Sequence, residues 1–281
     1  MASLLKIPKA PNSIQKGVPL KLILGKEAVS QLAKNLKLVY PAFEQIAFVK
    51  ETMVEIEPLS ITERGKHIAL FMKKYLPPSY SKSVTIILKS LTPPLEKTEG
   101  NGLAVLFYMP HCSFIAQFGL DSKLNKGKVF FEVSMNAQME LTQRFSCEYS
   151  IRPFIIEHEK RTMDRLYQWM KHPDPHVRRL SSEGSRPRLP WSMKIDSFVK
   201  DPRPTLPILE CLKNDPDLYV RRSVANHVGD IAKDHLDLAL ELCENWLKGA
   251  SAELKWVIRH AVRNPVKKGN QRAIELRVAA K

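Results

Sequence analysis

The sequence predicts an all-α protein, an α-α superhelix of HEAT-like repeats with a basic concave surface. Three observations carry that expectation. Apolar residues recur at helical spacing along most of the chain. The string "DPHVRRL" at 174–180 returns as "DPDLYVRRSVANH" at 215–227, with a looser echo, "VIRHAV", at 257–262. The net charge is +15, from 44 Lys and Arg against 29 Asp and Glu, and both halves of the chain share the excess. A period near 40 residues with two helices per unit marks such solenoids. Spread positive charge favours an anionic partner, nucleic acid first among them.

The elements follow in order. In "KEAVSQLAKNLKLVY", Val29, Leu32, Leu36 and Val39 share one helical face. "ERGKHIALFMKKYL" sets His67, Leu70 and Lys74 on one face and stops at Pro77-Pro78, and "SKSVTIILKSL" stops at Pro93-Pro94. Segments 92–102 and 121–128 have the Gly, Pro and charge of loops. From "VFFEV" one long helix is expected to run through "SMNAQMELTQRFSCEYSI" to Pro153, where it must end or kink. Further helices are expected at "RTMDRLYQWM", "LPILECL" and "LDLALELCENWL". Asp174-Pro175 and Asp215-Pro216 each read as a cap followed by a first-turn proline. Val220, Val224, Val228 and Ile231 form a core stripe, and Gly184 is expected to end its helix in the left-handed conformation.

Several classes are excluded. The four cysteines, Cys112, Cys147, Cys211 and Cys243, form no CxxC pair and read as buried, reduced thiols of a cytosolic protein. "MASLLKIPKAPNSIQK" is no signal peptide, and no apolar run approaches the ~20 residues that span a bilayer. Pro173 and Pro175 keep His172 and His176 off a common helix, and His227 and His235 do not share a helical face. No metal site is expected. Neither a phosphate-binding glycine loop nor a nucleophile elbow is present.

The candidate site residues come in three groups. Arg144, Glu148 and Arg152 fall at i, i+4 and i+8, one stripe of the expected long helix. Two guanidinium groups beside one carboxylate would keep it ionised and would also bind phosphate. The same spacing equally describes a surface salt-bridge ladder. Glu183 is a possible second acid, followed by a stiff loop with Arg186, Arg188 and Trp191. Cationic loops suit phosphates, and an indole can stack on a base or plug a gap between repeats. Finally, Arg179, Arg222 and Arg259 recur in the repeats, with Asn226 one turn after Arg222. They form either a phosphate-binding ladder or internal ties between helices.

Together "LTQRFSCEYSIRPFI", "HPDPHVRRLSSEGSRPRLPW", "DPDLYVRRSVANHVGDIAKDH" and "RHAVRNPVKKG" resemble the AlkC branch of the HEAT-like DNA alkylation repair glycosylases, relatives of AlkD, over residues 20–275. The resemblance implies a monofunctional glycosylase in base excision repair. Its substrate would be double-stranded DNA carrying 3-methyladenine or 3-methylcytosine. It would work without metal, cofactor or conventional base-flipping pocket, as a cytoplasmic monomer. It puts the catalytic carboxylate at Glu148 and the basic lining at Arg144, Arg152, Arg179 and Arg222. It also implies an acidic residue just before the phenylalanine of "HCSFIAQFGL", where this chain has Ser113. Some members of the branch append an immunoglobulin-like β domain. Here a basic tail, 1–20, and one repeat domain, 21–281, are expected, with no such addition.

The chemistry suits these residues. A base alkylated at N3 is cationic and leaves as a neutral molecule, so no general acid is needed. The barrier is the oxocarbenium-like sugar, which a fixed carboxylate stabilises. The alternatives are a HEAT-repeat nucleic-acid binder without catalysis, which Ser113 favours, and a protein scaffold.

Overall fold

The computed structural model describes residues 4–122 and 130–281, and every regular element among them is a helix. Part of the expected loop at 121–128 lies outside the described residues. The contacts form two compact units, Met1–Ser150 and Ile151–Lys281. The first holds α1 (Lys26–Val39), α2 (Gln45–Thr52), α3 (Ile61–Tyr75), α4 (Tyr80–Lys89), α5 (Met109–Phe118) and α6 (Phe131–Thr142). Ahead of α1, the backbone of Lys6 exchanges hydrogen bonds with Asn35 of α1, residues 11–19 are exposed, and Leu24 is buried.

In α1 the expected stripe of Val29, Leu32 and Leu36 is buried, with Val39 half-buried at its end. In α3 the expected stripe is the wrong one. Leu70 is 52% exposed, and the buried face is Arg64, Gly65, Ile68, Ala69 and Met72. Apolar residues occur on both sides of α3, so spacing alone does not choose between them. Packing does: α3 lies against α5 at Gly65, where a Cβ would come within 2.8 Å of Met109 Cγ. Ser60 and Glu63 form a reciprocal capping box at its start. Leu76, held extended ahead of Pro77, ends it.

The expected long helix to Pro153 is two helices. α6 stops at Thr142, and residues 143–150 are turns. The Leu95 N–H takes the Gln143 carbonyl, which a continuing helix would use internally. Arg144 turns back to the carbonyls of Thr92 and Glu140. Pro153 then sits in the first turn of α7 (Arg152–Glu157), where its missing N–H is no loss.

The second unit continues with α8 (Glu159–Trp169), α9 (Pro175–Gly184), α10 (Asp196–Lys200), α11 (Leu206–Leu212), α12 (Leu218–Ile231), α13 (Leu236–Leu247), α14 (Ala252–Ala261), α15 (Arg263–Lys267) and α16 (Gln271–Ala279). α9, α12 and α14 lie side by side. α8 packs on α9, α11 on α9 and α12, and α13 on α12 and α14. These are the helix pairs that the Val-Arg-Arg period predicts, with Val220, Val224, Val228 and Ile231 in the core.

Asp174 caps α9, accepting from the His176 and Val177 N–H groups. Asp215 does not cap α12, which starts two residues later behind Asp217. Asp215 instead accepts from Arg178 Nε and Nη2 at 2.6 and 3.0 Å, tying one repeat to the next. The first arginine of each triplet does the same local work. Arg178 donates to the carbonyls of His172 and Pro173, and Arg221 to those of Asp215 and Pro216. Gly184 is not left-handed. It is the last residue of α9, and the Ser185 hydroxyl takes the Ser181 carbonyl at 2.6 Å. Cys112, Cys147 and Cys243 are buried as expected, but Cys211 is exposed.

Two fully buried histidines set an acid limit on the fold. Burial pushes His111 and His227 down to about 3. His227 Nδ1 donates to the Ser182 carbonyl at 2.9 Å, which fixes the neutral ring in place. In the unfolded chain both rings titrate near pH 6.5. Between about pH 6.5 and about pH 3 the unfolded state therefore binds protons that the folded state refuses, and stability falls as pH falls. The urea midpoint is expected to drop from about pH 7.5 to about pH 4.5, by several kcal/mol of stability in all. His227→Gln should flatten part of that drop. A midpoint constant over this range would show that the rings are not held neutral.

Candidate carboxylate site and nucleic-acid interface

In the first unit, Glu148 stands on the turn between α6 and α7. Its Oε2 accepts from the Ser146 hydroxyl at 2.6 Å. The residues beside it are anchored. Cys147 and Ser150 are fully buried, and the Ser150 hydroxyl donates to Gln138 Oε1. The Tyr149 hydroxyl donates to the Met109 carbonyl at 2.7 Å. Burial pushes this phenol well above its ordinary range, so it remains a neutral donor. Glu148 is thus a half-buried carboxylate on a turn pinned at both sides, a rigid mount of the kind a reacting group needs.

Arg144, Glu148 and Arg152 do not share a helix, so the expected stripe does not exist. Arg144 is buried and pairs with Glu140 at 3.3 Å. Ser113 lies on α5, 2% exposed. Its hydroxyl is 3.2 Å from that of Tyr149 and would be 3.3 Å from a Cβ on Gly65.

In the second unit, several expected contact residues turn inward. Arg152 is 0% exposed. Its Nε donates to the Met193 carbonyl, Nη1 to those of Gly184 and Arg186, and Nη2 to that of Pro187. Arg186 is buried between Glu183 and Asp230, at 2.5 and 2.6 Å. Glu183, the possible second acid, is 4% exposed. Burial raises its pKa, but the charges of Arg179 and Arg186 outweigh that and hold it below the usual carboxylate value. It is an ionised member of an internal network, placed to fix arginines. Arg188 is half-buried and pairs bidentately with Asp234 at 2.6 and 2.7 Å.

The remaining candidates differ in exposure, and Arg179 is half-buried, with Nη2 3.6 Å from Glu183 Oε2. Arg179 lies over the Tyr219 ring, 4.7 Å from its centroid. Arg222 is exposed. Asn226 Oδ1 accepts from His260 Nε2 at 3.1 Å and Arg263 Nη2 at 3.0 Å. Burial, then the charges of Arg263 and Arg222, push His260 down to about 4. Trp256 stacks on the His260 ring, centroids 4.9 Å apart. Arg259 leaves the expected ladder, because its Nη1 bonds the Ala280 carbonyl. Sequence reasoning missed His260 and Arg263. The signal was there: Ile258-Arg259-His260 echoes Val-Arg-Arg, so His260, not Arg259, matches Arg179 and Arg222. Trp191 stands apart, 94% exposed with φ +67°.

Among the described residues no three His, Cys, Asp or Glu side chains are grouped to hold a metal ion, and no helix is long and apolar enough to cross a membrane.

No protein-family model matches the chain. It is 36% identical over 258 residues to "Uncharacterized protein YhaZ" of Bacillus subtilis (strain 168), covering 92% of this chain and 67% of that protein. Among solved structures it is similar to the Pseudomonas fluorescens alkylpurine DNA glycosylase AlkC bound to DNA containing an abasic site analog. The TM-score is 0.80 at 35% identity, over 92% of this chain and 68% of that one. AlkD2 from Streptococcus mutans aligns at 20% identity with a TM-score of 0.40, too distant to weigh. With more than a third of residues shared with YhaZ over nine-tenths of its length, and the AlkC fold matched over the same extent, the chain belongs to the AlkC branch of the AlkC/AlkD-type HEAT-like repeat DNA glycosylases.

Proposed function

We propose that the chain excises cationic alkylated bases, 3-methyladenine and 3-methylcytosine among them, from double-stranded DNA in the cytoplasm, acting as a monomer. The observation that carries this reading is Glu148, a carboxylate fixed by Ser146 on an anchored turn, in a chain similar to an alkylpurine DNA glycosylase. In the reaction the bond from the sugar C1′ to the base nitrogen breaks. Its electron pair stays on the base, which becomes neutral. The sugar is left as an oxocarbenium ion, and the Glu148 carboxylate stabilises that charge. Water adds to C1′ and loses its proton, through the carboxylate to solvent. The products are the free methylated base and an abasic site. Loss of a neutral base makes a general acid or a metal unnecessary.

The test is base release from methylated duplex DNA, read separately for 3-methyladenine and 3-methylcytosine. Release above the uncatalysed rate is expected, and none for either base would overturn the reading. A second reading, DNA binding without excision, has one observation in its favour. Ser113, buried against Tyr149, stands where the family resemblance implies an acid. It predicts duplex affinity with no release.

For binding, Arg222 is the clearest phosphate contact, being exposed in a chain of net charge +15. Arg222→Ala should weaken damaged and undamaged duplex alike and reduce the salt slope by about one counterion. An unchanged slope would remove Arg222 from the interface.

A further inference from the structure

We infer that Trp191 is a stacking platform for an unpaired nucleobase, and that Arg152 is a positioning residue for the loop that presents it. The inference rests on the reading of this chain as a DNA-binding protein and adds the element that distinguishes a disrupted duplex from an intact one.

Trp191 differs from its counterparts. Trp169 and Trp246 are buried, whereas Trp191 is 94% exposed. Its φ of +67° puts a bulky side chain in the left-handed region, where L-residues other than glycine are strained. A loop free to relax would lose both features. This one is not free. Arg152 gathers the carbonyls of Gly184, Arg186, Pro187 and Met193 around one buried guanidinium. The Ile195 N–H closes back on the Pro187 carbonyl, and Leu189 and Ile195 are buried on either side of the tip. Arg186 and Arg188 tie the same stretch to Asp230 and Asp234. Strain held this firmly under an exposed aromatic marks a surface built for contact.

Charge and shape choose the occupant. The indole is followed by exposed Lys194 in a strongly basic chain, which favours an anionic partner over an apolar protein face. A flat ring gains most against a base face. In an intact duplex those faces are covered by neighbouring pairs, so only edges and phosphates are offered. An unpaired base offers its face, and aromatic stacking there tolerates any sequence. Excision itself creates such a base, because the partner of the released one is left without its pair.

The experiment uses the whole chain and three fluorescein-labelled probes: an intact duplex, the same duplex with a tetrahydrofuran abasic analogue, and a single strand. Trp191→Ala is expected to lose about tenfold in affinity for the abasic duplex and the single strand, the scale of one lost stacking contact. Intact duplex should be nearly unaffected, and Trp191→Phe should retain most of the preference. Trp191→Gly relieves the left-handed strain, so it should melt at an equal or higher temperature while losing the abasic preference. Arg152→Lys should reduce that preference in the wild-type background and change nothing further in Trp191→Ala. Equal losses on all three probes, no loss on any, or a Trp191→Gly variant that melts lower would overturn the inference. These readouts need no base release. If wild type excises nothing yet Trp191→Ala still loses the abasic duplex selectively, the catalytic reading falls and the platform stands.

Discussion

Replacing Glu148 with glutamine is expected to slow single-turnover release of 3-methyladenine by roughly a hundredfold or more, while folding and DNA affinity stay nearly intact. The substitution is close to isosteric. Its amide oxygen can accept the Ser146 hydroxyl as the carboxylate does, so the turn keeps its shape. What disappears is one negative charge. That charge does little for the substrate, whose positive charge lies on the base. It does most when the C1′–N bond breaks and the charge moves to the sugar. A contact that strengthens only in the transition state lowers the rate and spares binding. Ser146→Ala tests the mount in turn. It leaves the charge but frees one oxygen, and a loss of no more than about tenfold is expected, since orientation and not charge is removed. If Glu148→Gln releases base as fast as wild type, the carboxylate is only a partner for its neighbours, and catalysis lies elsewhere.

Some of this was legible in the residues and some was not, for physical reasons. The repeat was legible because the first arginine of each Val-Arg-Arg does identical backbone work, and identical work leaves identical letters. Arg178 and Arg221 each close the loop five and six residues behind them. The break after α6 was not legible. Nothing local stops "LTQRFSCEY" from being helical. A carbonyl captured by Leu95, nearly fifty residues earlier, stops it. The same limit governs the arginines. Spacing says which residues share a helix face, but it cannot say whether a guanidinium finds carbonyls inside the protein. Arg144 and Arg152 do, Arg186 finds buried carboxylates instead, and Arg222 remains exposed. Burial also redefines Glu183: an acid followed by two arginines in a basic loop reads as a reactive carboxylate until its 4% exposure and its bond to Arg186 make it internal. For Trp191 the residues left stacking and gap-filling open, and its exposure and positive φ depend on anchors far away in the sequence.

Arg152→Ala should be the most destabilising single change in the second unit, about 3 kcal/mol or more, and Arg188→Ala should cost far less. Both side chains are guanidinium groups tied to the same loop, so the contrast isolates burial. Arg188 is half-exposed, and its pairing with Asp234 is a surface ion pair whose groups regain water when separated. Arg152 has no such exchange. Of its four carbonyl acceptors, that of Met193 belongs to an exposed residue and can turn to solvent, and that of Pro187 keeps the Ile195 N–H. Those of Gly184 and Arg186 belong to buried residues and are left without this donor, each costing roughly 1–3 kcal/mol. The cavity left by the side chain adds to that. At roughly 2–4 °C per kcal/mol, the melting temperature should fall by about 6–12 °C. Arg152→Lys should fall between, since one ammonium cannot reach carbonyls spread over ten residues as a planar fork does. Urea titrations of the three variants, followed by Trp fluorescence, decide it. Equal midpoints for Arg152→Ala and Arg188→Ala would mean that solvent already reaches the Gly184 and Arg186 carbonyls, and that the loop does not hang on Arg152.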